Sequence, residues 1–342
     1  VEKPTGSLSL GAGYSSGDGL GLSFGLNQEN AFGSGNSLGV QLNTSKINRT
    51  LVFNTTDPYF TADGVSRTID IYHRTSSPYQ DTSYYKLVTT GGSLRFGVPF
   101  TETDTVYFGG GVEQTTIVPG TLLPTTYIAY ANQYGYDSSS VPLTVGWSRD
   151  GRDSALAPNS GRYQRANAEW SVAGDARYVK ATYQMQQYIP LNKQFTIAFN
   201  GEAGWGASVG GRTFPVFKSF YGGGLGSVRG FEQGSLGPKD ASGTVVGGTR
   251  KLNLNAELLT PFPGAGNDRT LRLYAFVDVG SISGSTAGLA NNENSNKLRS
   301  STGIGVSWIS PVGPLRLAFA KPIKKFDGDK MQTIQFQIGT TF

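Results

Sequence analysis

Three charged residues of this chain could act on one another. Arg229 lies in the run Phe220-Tyr221-Gly222-Gly223-Gly224-Leu225-Gly226-Ser227-Val228-Arg229-Gly230-Phe231, with Glu257 and Asp278 downstream. The chemistry they offer is recognition. A guanidinium presents a planar fork of donors that a carboxylate accepts through several bonds at once. The run is too rich in glycine for a helix and too irregular for a strand, and glycine reaches backbone angles closed to other residues. It reads as a loop tip that enters a cavity and places Arg229 there, with Val228, Gly230 and Phe231 shaping the tip. A solvated surface loop is the alternative, set aside because the rest of the chain supplies a cavity and two carboxylates. Catalytic chemistry is thinly supplied. The one histidine, His73, has no orienting partner in view, as a Ser-His hydrolase needs. Cysteine is absent, and neither a zinc-protease nor a phosphate-loop motif occurs. No catalytic residue, metal or cofactor is expected.

The elements that hold the carboxylates follow a period of two. Leu252, Leu254, Ala256 and Leu258 alternate with Asn253, Asn255 and Glu257; Leu271, Leu273, Ala275 and Val277 alternate with Arg272, Tyr274, Phe276 and Asp278. Successive side chains of a strand point to opposite faces. Glu257 and Asp278 thus share the polar face of neighbouring strands. In water their pairing with Arg229 is worth about 0.2–1 kcal/mol. In a dry site, loss of one partner costs about 3–5 kcal/mol. Two carboxylates that merely line a wet interior fit the pattern equally well.

The same alternation runs through 342 residues, with 48 glycines, 12% aromatic residues and a net charge of +5. That charge is too small for a nucleic-acid binder. No apolar run is long enough for a membrane-spanning helix, and Val1-Glu2-Lys3-Pro4 is no signal peptide. With no helical segment to cover either face, the pattern predicts an all-β, antiparallel transmembrane barrel, apolar outside and polar within. Counting segments gives about sixteen strands, centred near residues 10, 23, 41, 52, 70, 93, 109, 145, 168, 182, 199, 254, 275, 304, 317 and 336. Proline-bearing connections at Pro58, Pro99, Pro158, Pro190, Pro261 and Pro311 mark one rim, and longer polar loops (119–140, 207–247, 283–297) the other. Tyr59, Phe60, Phe100, Tyr188, Phe262 and Trp308 are expected in an aromatic girdle. Residues 1–342 read as a single barrel domain. Lys321-Pro322-Ile323-Lys324-Lys325 is expected in the last outer loop, as a solvated run or a contact for anionic lipopolysaccharide.

A barrel closes where its first strand meets its last. Gly6, Gly11 and Gly13 accompany Leu8 in the first; Phe336, Ile338, Gly339 and Phe342 lie in the last. Glycine weakens a strand and tolerates bends, so both edges of the seam are expected to pair poorly. An edge of that kind can open and accept another strand by β-augmentation.

Several motifs carry a family resemblance. Val228-Arg229-Gly230-Phe231, Phe220-Tyr221-Gly222-Gly223-Gly224, Gly237-Pro238-Lys239, Glu257-Leu258-Leu259-Thr260-Pro261, Ser310-Pro311-Val312-Gly313-Pro314-Leu315 and Phe336-Gln337-Ile338-Gly339-Thr340-Thr341-Phe342 stand in order. With Thr56-Asp57-Pro58-Tyr59-Phe60, they resemble the BamA family of outer-membrane assembly factors across essentially the whole chain. The resemblance implies a sixteen-stranded barrel in the bacterial outer membrane, with the long loop after strand eleven tucked inside and Arg229 meeting Glu257 and Asp278. It also implies insertion of outer-membrane proteins, with unfolded clients, lipoproteins of the assembly complex, lipid and lipopolysaccharide as partners. Periplasmic repeat domains of the family are missing from residues 1–342. A passive porin, a polypeptide-secreting sibling and an outer-membrane enzyme are the competing classes.

Overall fold

The computed structural model describes residues 5–77, 85–264, 269–284, 296–310 and 313–339. The alternation closes into one antiparallel barrel of sixteen strands, each paired with its neighbours in sequence and the first with the last. In chain order they are β1 (Gly6–Ser15), β2 (Gly19–Gln28), β3 (Ser37–Thr44), β4 (Asn48–Asp57), β5 (Ser66–Ser76), β6 (Tyr85–Pro99), β7 (Asp104–Pro119) and β8 (Asp137–Asp150). Then follow β9 (Gly161–Gly174), β10 (Tyr178–Pro190), β11 (Thr196–Ser208), β12 (Arg250–Pro261), β13 (Leu271–Ser283), β14 (Arg299–Ser310), β15 (Gly313–Lys324) and β16 (Ile334–Ile338). All sixteen expected centres fall inside these strands.

The faces separate as parity demands. Leu8, Leu10, Phe24, Phe53, Ile71, Phe108, Val145, Phe199 and Ile304 are exposed on the outside. In water such a coat would drive aggregation; in a bilayer it is the solvent-matched face. Inside, Tyr274, Phe276, Asp278, Asn253 and Gln335 are buried because a loop fills the lumen over them. That loop is the 209–249 connection between β11 and β12.

Several expectations need correction. A helix, α1 (Thr125–Tyr134), interrupts the supposedly helix-free chain between β7 and β8. It packs Tyr127 and Tyr130 onto Val216 and Val246 of the lumen loop and onto Tyr85 and Ile117 of the wall. Tyr188 leaves the girdle: its even position on β10 turns it inward, where it packs against the cluster that contains Tyr274 and Leu259. Ile189 is exposed in its place. Lys321–Lys324 belong to the end of β15 rather than to a loop. Phe342, Thr340, Thr341, Pro311, Val312 and most of 283–297 lie outside the described residues.

Candidate functional site: the lumen loop and the seam

The structure brings Arg229, Glu257 and Asp278 together. Arg229 donates through Nε to Asp278 Oδ2 at 2.7 Å and through Nη2 to Oδ1 at 2.6 Å, a two-pronged fork. Its backbone N–H adds a third bond to Oδ2 at 3.0 Å, and Nη1 donates to Glu257 Oε1 at 2.6 Å. The guanidinium carbon sits 3.6 Å from the ring centre of Phe276, which closes the remaining face. Arg229 is 1% exposed and Asp278 0%. The pair is therefore dry, where charge-assisted bonds are strongest and an unpaired partner is most costly.

The flanking loop residues explain how the tip fits. Val228 and Phe231 are buried with Leu236 in a small apolar cluster. Gly230 has a φ of +87° and lies so close to β15 that a Cβ would meet the Ala320 methyl at 3.2 Å. Its N–H donates to Gln335 Oε1 at 3.2 Å, and Gln335 Nε2 donates back to the Phe231 carbonyl at 2.7 Å. Gly230–Phe231 also pair with Met331–Gln332, just before β16. On the other side of the seam, Gln233 Nε2 donates to Asp18 Oδ1 at 3.1 Å, in the β1–β2 turn. The loop thus grips both edges of the closure.

Sequence reading missed five members of this network. Arg316 of β15 donates to Glu257, so that one carboxylate serves two arginines. Asn255 donates to Asp278 Oδ1 at 2.9 Å and to the Ser227 carbonyl at 2.8 Å. Both face inward by parity, a signal that was available but ignored. Gln335 faces inward by the same parity, between the exposed Ile334 and Phe336; Asp18, in a turn with a loop amide as partner, carries no such signal. The fifth, Lys218, lies in the loop upstream of the glycine run. Its Nζ reaches Glu113 of β7 at 2.8 Å and Glu169 of β9 at 3.1 Å. Burial alone would lower its pKa; the negative charge opposite more than offsets this and raises it. His73 is exposed on the outer face, with Nδ1 2.8 Å from Thr90 Oγ1. Among the described residues no cluster of His, Cys, Asp or Glu could hold a metal.

The seam has an unusual register. β1 pairs with all ten positions of β2, Gly6↔Gln28 through Ser15↔Gly19, so its glycines do not make it a poor pairer in general. Against β16 only Tyr14↔Ile338 and Ser15↔Gln337 are paired. Ser16 N–H donates to the Phe336 carbonyl at 2.8 Å, and the Tyr14 and Phe336 rings stack outside at 5.3 Å. From Gly6 to Gly13, including Leu8 and Gly11, β1 has no partner strand on that side among the described residues. The weakness is one of offset: β16 is five residues long and meets only the outer-loop end of β1. Gly339 ends it with a φ of +89°, and a Cβ there would lie 2.4 Å from the Ala12 carbonyl oxygen. Only glycine allows that turn and that approach.

Between β7 and β8, α1 packs on the wall and on the lumen loop, and its N-terminus lacks a side-chain cap from its own segment. Asp240 of the lumen loop supplies one: Oδ2 accepts from Thr125 N–H at 2.9 Å, while Oδ1 accepts from Thr244 N–H and Ser242 N–H at 2.9 and 3.0 Å. Burial raises the Asp240 pKa, but the bonds from Ser242, Thr125 and Thr244 outweigh it and leave the group below its ordinary 3.8. A depressed folded pKa contributes stability above 3.8 that is lost as pH falls through the lower folded value. Asp240→Ala should cost about 0.5–2 kcal/mol at neutral pH. It should speed proteolysis within 125–134, with the difference from wild type shrinking in strong acid.

A family model described as the Omp85 superfamily domain matches residues 30–342. The chain belongs to the Omp85 superfamily. Within the Omp85 proteins it is 40% identical, over its whole length, to "Outer membrane protein assembly factor BamA" of Neisseria meningitidis serogroup B, of which it spans 48%. It is 28% identical, again over its whole length, to the protein of that name from Nitratidesulfovibrio vulgaris, of which it spans 42%. The chain thus covers less than half of either relative. Its fold matches the crystal structure of BamA from Haemophilus ducreyi lacking POTRA domains 1-3, with a TM-score of 0.91 and 30% identity, covering all of this chain and 71% of that one. It is a β-barrel of the bacterial outer membrane.

Proposed function

We propose that this chain is the barrel unit of a factor that inserts β-barrel proteins into the outer membrane, and that the β1–β16 seam is where it acts. The observation that carries the proposal is the seam, held among the described residues by two register pairs. Unpaired backbone groups in hydrocarbon cost several kcal/mol each, so a passive barrel should pair this edge fully. An edge with no partner strand over Gly6–Gly13 among the described residues instead offers hydrogen bonds to an incoming strand, with alternate side chains giving selection. A short seam also favours a locally thin bilayer, which lowers the cost of insertion. The names of the relatives agree with this reading. Clients would be unfolded outer-membrane proteins; lipoproteins of an assembly complex, lipid and lipopolysaccharide complete the set of partners. The process needs pairing and desolvation but no bond chemistry, so no enzymatic step is invoked.

A porin fits less well, because the lumen loop and α1 occupy the space that solute would cross. The test uses the full-length protein in lipid vesicles with a small unfolded barrel protein as client. Faster client folding than in empty vesicles is expected. A client rate equal to that of empty vesicles, with a large steady conductance, would overturn the proposal in favour of a pore.

A further inference from the structure

We infer that the lumen loop is a strut with two ion-paired ends, and that Lys218 is the positioning residue at the end opposite the seam. In a closed ring of sixteen strands, β8 and β9 lie across from the β16–β1 closure. Lys218 bridges Glu113 on β7 and Glu169 on β9, so its ammonium straddles β8 from inside. Three further contacts hold this end. Lys180 Nζ of β10 donates to the Lys218 carbonyl at 2.9 Å, and the same ammonium lies 4.4 Å from the Phe220 ring centre. Tyr72 of β5 donates to the second oxygen of Glu113 at 2.9 Å. Ten residues separate this anchor from Arg229, and beyond Arg229 the loop grips β16 through Gln335 and the β1–β2 turn through Asp18.

A strut fixed at one end cannot set the shape of a ring, whereas one fixed at both ends can. The Arg229 end grips strands near the seam; the Lys218 end ties that grip to the far wall. Lys218 thereby holds β16 in register with β1, although it touches neither. The inference deepens the proposed role of the seam and rests on it for its biological meaning, but its test needs no client.

Ser15 and Gln337 are paired across the seam and both face inward, and antiparallel partners have the spacing a disulfide requires. The chain has no cysteine to interfere. In the full-length protein in lipid, oxidation of Ser15→Cys with Gln337→Cys reports how often the seam is in register. Adding Lys218→Met should slow that oxidation by about tenfold, between the cost of breaking an exposed ion pair and that of a buried one, as its half-buried partners dictate. Lys218→Arg, which keeps the charge, should restore the rate. The pair Glu113→Gln with Glu169→Gln should slow it as Lys218→Met does, and serves as the test if the methionine variant fails to fold. Unchanged oxidation in these variants would overturn the strut. Because oxidation is read without client, that result leaves the insertion test above to stand or fall separately.

Discussion

Replacing Arg229 with methionine should destabilise the folded barrel by about 3–5 kcal/mol, the cost of leaving a buried charge without its partner. Asp278 would keep the Asn255 bond and lose the two side-chain bonds from Arg229; the third, from the backbone N–H at position 229, survives only if the loop stays docked. Lysine should rescue little, because an ammonium is a compact point charge that cannot reproduce the two-pronged fork or lie flat on Phe276. Combining Arg229→Met with Asp278→Asn should be milder than Arg229→Met alone, since the second change removes the stranded anion. Denaturant midpoints of the barrel in lipid, read beside proteolysis of the 209–249 loop, distinguish these cases. Equal midpoints for wild type and Arg229→Met would show that the loop is held elsewhere.

The second large effect concerns the seam. Oxidising Ser15→Cys with Gln337→Cys should reduce client folding to near the rate of empty vesicles, and a reducing agent should restore it. Cysteines at Gly11 and Gln337, one in each edge strand, should not crosslink, because Gln337 faces Ser15. A locked barrel that still accelerates its client would sink the idea that the seam opens. The lock should leave the Arg229 fork intact, so barrel stability should not fall.

Much of the barrel was legible because the physics that builds it is local. Side chains alternate every second residue, and a membrane makes one parity apolar for the whole length of each strand. The same parity put Glu257 and Asp278 inward on adjacent strands. Tyr188 was misplaced when residue type was allowed to override parity. The helix was legible in part: Tyr127, Tyr130, Ala131 and Tyr134 recur at i, i+3, i+4 and i+7, but weak helix formers and a glycine boundary hid the pattern. Register was not legible. The offset at the seam depends on how sixteen strands tilt and close, which no residue type encodes. Lys218 escaped for a related reason. Its partners lie on β7 and β9, distant in sequence, and meet it only once the loop has entered the lumen.

The cap that Asp240 lends to α1 also dictates an order of events. A helix of ten residues is marginal on its own, and this one lacks a capping side chain until a residue 115 positions downstream arrives. During the protein's own biogenesis α1 is therefore among the last pieces to set. The loop must thread inward before the helix beside it can harden.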